Sequence, residues 1–247
     1  MELTTAHYVF HYLKNSAAEK EINETAALQE GCYRFITSVL HTSVSGKIHY
    51  HFFESREEVG RQYAITHNND DDEPCSGFAI PEAKSADGAN HIYAVYNDSV
   101  KCVGFHEDAH IISYSLGRPA SQFIREGLAM FFDRYWWGID NLSRTRWYAE
   151  QGIIPPLSEL LDNSKFNEYS DVLTYPVAGA FTGYLIERFG TEKYVEFYRC
   201  IALKGNQAFQ DIFGVPVRIL EKDFSSYIKL FNLRGDIRKL IMDDTDA

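Results

Sequence analysis

The chain has 247 residues, 45% of them apolar and 24% charged, with a formal net charge of −11. That length can bury a substantial core in one large domain or two closely fused ones. The acidic balance argues against nucleic acid or an anionic membrane as partner, because both attract basic patches. No apolar run approaches the roughly 20 residues of a membrane span, and "MELTTAHYVFHYLKN" lacks the basic-then-apolar layout of a signal peptide. A cytoplasmic protein is therefore expected, or a secreted one if a leader has been trimmed away.

In chain order, "HYVFHYL" (7–13) alternates and predicts a strand. Ser16 with Glu19 forms a capping box for a helix to about residue 40. "KIHYHFF" (47–53) is a second strand, and Ser55 with Glu58 caps a shorter helix through about residue 66. A polar loop (67–77) precedes a third strand, "HIYAVYN" (91–97). From residue 102 onward nearly everything predicts helix, including 176–189, 192–202 and 217–231. The composition changes at 116–119, which divides the chain into an N-terminal unit (1–116) and a C-terminal unit (117–247). The expected fold is α+β: a mixed sheet with helices, packed against an all-helical half, with a cleft between them.

Several clusters predict little chemistry. Cys32, Cys75, Cys102 and Cys200 form no C-x-x-C and are expected to be reduced thiols. His7 with His11, and His49 with His51, share strand faces and could assemble a four-histidine patch. It predicts a polar sheet face, since no carboxylate spacing supports a second metal. "NNDDDE" (68–73) lacks the glycine and terminal glutamate of a calcium loop. "RYWWG" (134–138) predicts core or a contact between the two units rather than a substrate platform. No P-loop, Rossmann glycine pattern or G-x-S-x-G elbow occurs.

The stretch "VGFHEDAHIISYSLGRPASQFIREGLAMFFD" (103–133) is the informative one. Residues four apart share a helix face, about 6 Å apart along the axis, so His106 and His110 can converge on one ion. Glu107, about 100° around the helix, can reach a water beside that ion and act as general base. Gly117 and Pro119 end this helix near residue 115, and a second begins around 120–121. His110 lies about five residues before the turn and Glu126 about six after it, so side-by-side packing brings them level at 1.5 Å per residue. "FIREGLAMFFD" is apolar nearly all round, and a charge buried there needs a partner such as a metal ion. Asp133, two turns on, can orient a histidine from behind.

"HEDAH", followed by "REGLA" and then by "YPVAGAFTGYLIERFG" (175–190), resembles the gluzincin metallopeptidases, in particular the compact peptidase-MA-like group. The similarity runs from about residue 91 to 190, with three separated motifs in order. It implies His106, His110 and Glu126 as ligands of one zinc ion, Glu107 as general base, and Tyr175 as the hydroxyl that stabilises the oxyanion. By number alone Tyr175 is one of 16 tyrosines, and Tyr184 and Tyr169 are lesser candidates. Asp108 departs from the family pattern, which carries an uncharged residue between the glutamate and the second histidine; its side chain is expected to point away from the metal. A G-x-M-E-N segment is missing, which favours cleavage of internal bonds over aminopeptidase activity.

The resulting expectation is a zinc metallopeptidase acting on a peptide or protein substrate, with strand 91–97 offering an edge for an extended peptide. The alternative is a zinc-binding pseudopeptidase that serves as a binding or regulatory module without turnover. The intact Glu107 speaks against it.

Overall fold

The computed structural model describes residues 1–70 and 72–245; residue 71, within the NNDDDE loop, lies outside the described residues. The chain is α+β and divides into two compact units, Met1–Ser115 and Leu116–Ala247.

The first unit runs β1 (Glu2–Thr4), β2 (Tyr8–His11), α1 (Ala17–Leu40), β3 (Ile48–Phe53), α2 (Arg56–His67), β4 (Gly77–Ile80), β5 (Asn90–Val95) and α3 (His106–Tyr114). The Ser16 and Ser55 hydroxyls accept from the backbone N–H groups of Glu19 and Glu58, so both helices begin where their capping residues dictate. The strands form one sheet in the order β1-β2-β3-β5-β4. β2, β3 and β5 are parallel, and β1 and β4 close the edges in antiparallel fashion. This corrects one expectation: β5 is an interior strand, hydrogen-bonded to β3 and β4, and cannot offer an edge. The free edge on that side belongs to β4, a four-residue run too short to stand out in the sequence.

One face of the sheet carries Tyr8, Phe10, Ile48, Tyr50, Phe52, Ile92 and Ala94, all buried. The Tyr8 hydroxyl stands 3.2 Å from the Gln29 carbonyl oxygen of α1, which places α1 on that face. On the opposite face Tyr93 stacks on Phe78 at 4.8 Å, and Phe78 meets Tyr63 of α2 at 5.2 Å.

That opposite face also gathers histidines, though not the four expected. His7 precedes β2, stacks on Tyr33 at 3.9 Å and sets Nδ1 2.7 Å from the Glu30 carboxylate. His91 takes its place, because parallel pairing sets it opposite His49. Burial and neighbouring imidazoles lower the pKa of His11, His49 and His51, that of His51 to about 3. A histidine whose folded-state pKa is depressed is neutral in the fold and takes up a proton on unfolding. Stability is therefore full above the unfolded value of 6.5 and falls as pH drops from there toward about 3. For His51 alone the expected slope is about 1.4 kcal/mol per pH unit across that window. Chemical denaturation of the parent and of His51→Gln at pH 7, 6 and 5 checks it; equal slopes in the two proteins would contradict it.

The second unit contains α4 (Gln122–Asp133), the hairpin β6 (Tyr135–Trp136) and β7 (Ile139–Asp140), α5 (Asn141–Gln151), and the one-turn helices α6 (Leu157–Leu160) and α7 (Asn163–Phe166). Then follow α8 (Asp171–Phe189), α9 (Thr191–Lys204), α10 (Gln207–Phe213), α11 (Val217–Lys229) and α12 (Gly235–Thr245). α4 and α8 cross closely at two glycines. A Cβ on Gly127 would lie 2.8 Å from the Ala178 carbonyl oxygen, and one on Gly179 would lie 2.7 Å from the Met130 Cβ. Only glycine admits that approach.

Two further readings need correction. α8 begins at Asp171, five residues before Pro176, which sits inside the helix. Proline cannot donate to the carbonyl four residues back, and that carbonyl, on Val172, instead accepts from the Tyr148 hydroxyl at 2.8 Å. RYWWG is a hairpin rather than core: Trp137 and Gly138 both have positive φ, the condition of a tight two-residue turn, and Tyr135 and Trp137 are 58% and 66% exposed.

Candidate metal centre

Gly104 has φ 123°, a conformation that side-chain-bearing residues rarely adopt, and it turns the chain into α3. The first helical residue is His106, with Glu107 and Asp108 in the first turn. Acidic residues there face the positive end of the helix dipole.

Two buried groups fix this turn to the rest of the first unit. Gln29, fully buried on α1, receives the Gly104 N–H on its Oε1 at 2.7 Å and donates through Nε2 to the Gly104 carbonyl at 3.1 Å. The same Nε2 donates to Asp108 Oδ2 at 3.1 Å, and the Tyr8 hydroxyl of β2 donates to that oxygen as well. Asp108 thus points into the core, away from the histidine face. Burial pushes its carboxyl well above the usual range, the Glu107 carboxylate adds to this, and the bonds from Tyr8 and Gln29 oppose it. Gln29 escaped the sequence reading. The signal available was an amide within the apolar stripe of Ile22, Ala26, Cys32 and Ile36.

Glu107 lies against the edge strand. A Cβ on Gly77, the first residue of β4, would come 3.2 Å from Glu107 Oε1. Glycine there leaves room for the carboxylate beside the strand.

The rings of His106 and His110 stand 5.0 Å apart at 82°. Glu126 is 9% exposed on α4, whose buried residues run from Phe123 to Phe132. One ligand atom from each of His106, His110 and Glu126 can be chosen so that all lie within 4.8 Å of one another. Two imidazole nitrogens and one carboxylate oxygen are a donor set suited to zinc and its neighbours, and three protein ligands leave a coordination position open.

Tyr175 is half-buried near the start of α8, its ring 5.1 Å from Trp136 and 6.3 Å from Phe166. Tyr184 is 4% exposed, bonded to Arg188 and set among Phe181, Phe224 and Tyr227, which makes it a core residue. The Tyr169 hydroxyl donates to Glu159. Asp133 is the half-buried last residue of α4. Among the described residues no helix is long and apolar enough to cross a membrane.

No protein-family model and no curated protein sequence matches this chain.

Proposed function

We propose that the protein is a zinc-dependent peptidase. The observation that carries this reading is the convergence of His106, His110 and Glu126, from two separate motifs, to ligand atoms within 4.8 Å of one another. When bound, a zinc ion supplies Lewis acidity, which acidifies water and polarises the scissile carbonyl. Glu107, one residue from His106 and outside the ligand set, takes the proton from the attacking water and hands it to the leaving amine. An extended peptide pairs with the outer edge of β4, beside Gly77 and the Glu107 carboxylate.

Tyr175 donates to the developing oxyanion. Tyr175→Phe is therefore expected to lower kcat and kcat/KM by similar factors, on the order of 100-fold, at unchanged melting temperature. A packing tyrosine gives the reverse: activity kept and stability reduced by about 1 kcal/mol. Kinetics and thermal melts of one preparation separate the two, with Tyr184→Phe as the core control.

Metal analysis of the purified protein, combined with a peptide-library digest with and without chelator, tests the whole reading. Cleavage that stops with chelator and returns with zinc is the expected result. Bound metal without any cleavage would point instead to a binding module.

A further inference from the structure

Trp137 stands 66% exposed at the tip of the β6–β7 hairpin, and Tyr135 beside it is exposed as well. Strand parity divides this hairpin. Trp136, half-buried and paired with buried Ile139, turns inward, while Tyr135, paired with Asp140, turns outward. The Trp136 ring is 5.1 Å from that of Tyr175 and 6.3 Å from that of Trp137, edge-on to the latter at 81°. Trp137, Trp136 and Tyr175 thus form a row of rings, from the exposed tip to the residue proposed to hold the oxyanion.

Tryptophan is an unfavourable choice for the turn itself. A two-residue turn with positive φ at both positions ordinarily takes Asn, Asp or Gly first and Gly second. Gly138, at φ 80°, fits that rule, whereas Trp137, at φ 47°, holds a bulky side chain in the left-handed region where such residues are uncommon. Strain of this kind clusters at binding and catalytic positions, where the surroundings enforce it.

Here the surroundings do enforce it. The Arg134 carbonyl accepts from the Asn141 N–H at 3.0 Å, and the Trp136 carbonyl accepts from Nε of the fully buried Arg144 at 3.2 Å. Asn141 also donates from Nδ2 to the Met130 carbonyl at 2.8 Å. The base of the hairpin is thereby tied to α5 and to α4, the helix that carries Glu126. A tryptophan on a fixed hairpin is the kind of anchor that dominates recognition, with a large contact area and only two side-chain torsions to order.

We propose, resting on the peptidase reading, that Trp137 with Trp136 determines side-chain specificity by receiving an aromatic or long aliphatic side chain of the peptide substrate. The indole rings offer such a side chain an apolar wall. The neighbouring charges do not favour a lysine or arginine there: exposed Arg134 stands at the base of the hairpin, and the Asp140 carboxylate is engaged by the Ser143 N–H as the cap of α5. The net charge of −11 disfavours an acidic side chain.

Fluorescein-labelled decapeptides of one serine–glycine sequence, differing only in a central Phe, Leu, Lys, Asp or Gly, serve as probes. Their binding to the full-length Glu107→Gln protein, with zinc in the buffer, is measured by fluorescence anisotropy and needs no turnover. The Phe and Leu peptides are expected to bind about 10–30-fold more tightly than the other three, the weight of one well-packed anchor. Trp137→Gly in the same background is expected to abolish that difference without lowering the melting temperature, since glycine adopts the tip conformation freely. Leu203→Ala, at an exposed apolar position on α9, is expected to keep it. If the parent hydrolyses none of the peptides but shows the Phe and Leu preference, and Trp137→Gly abolishes it, the recognition surface stands and the peptidase reading falls. A preference that survives Trp137→Gly or is lost equally in Leu203→Ala would overturn the proposal. So would a preference for Lys or Asp, or no binding of any peptide.

Discussion

Glu107→Gln is expected to keep the parent's metal content while peptide hydrolysis falls by on the order of 10²–10⁴-fold, the span a positioned general base contributes. The amide preserves the shape and the contact with Gly77 but accepts no proton from water. Because the side chain stands outside the group of three possible ligands, its loss of charge leaves the donor atoms in place. The two measurements are metal content and turnover of whichever peptide the library digest identifies. Hydrolysis within a few-fold of the parent rate would remove Glu107 from the role of base. Loss of metal together with activity would make it a ligand.

Glu126→Ala separates a ligand from a base. Its carboxylate is 9% exposed on a helix buried on nearly every side. Removing it deletes one of three donors and leaves two imidazoles that cannot hold an ion alone at comparable strength. Affinity for zinc is expected to fall by more than the roughly 10–100-fold lost when only a residue supporting a ligand is changed. The melting temperature measured with zinc present is expected to drop toward that of the metal-free parent, since binding to the native state alone stabilises it. A competition titration against a chromophoric chelator gives the affinity, and thermal melts with and without zinc give the linkage. Undiminished affinity would reassign the third ligand, with Asp133 next to be tested.

The sequence displayed what is local and periodic. Ser16 and Ser55 announced α1 and α2, and the alternation in IHYHFF announced β3, because caps and side-chain parity act within a few residues. The convergence of His106, His110 and Glu126 was derivable because only one turn separates their helices, so counting residues from Gly117 bounded the heights. What stayed hidden depends on partners distant in the chain. β4 is four residues long and exists as a strand only through its pairing with β5. His91 joined the histidine face, and His7 left it, through strand register and strand length rather than spacing. Pro176 appeared to open its helix, since a carbonyl bonded by a tyrosine of α5, three helices earlier, leaves no trace in local pattern.

The bonds from Gln29 and Tyr8 at Gly104 and Asp108 bear on metal uptake in a way that concerns entropy. Ordering one residue's backbone costs about 1–2 kcal/mol, and a site that must fold around its ion surrenders that much from the affinity for every residue fixed. Here the chain is anchored two residues before His106 and two residues after it, by groups that are not ligands. The backbone carrying the first histidine is ordered in advance, so under the proposed function His106 would have only side-chain torsions to settle in meeting an ion. Under the proposed function, metal capture at His106 would be a rotamer selection on a standing helix, and removal of the ion would leave that helix in place to be refilled.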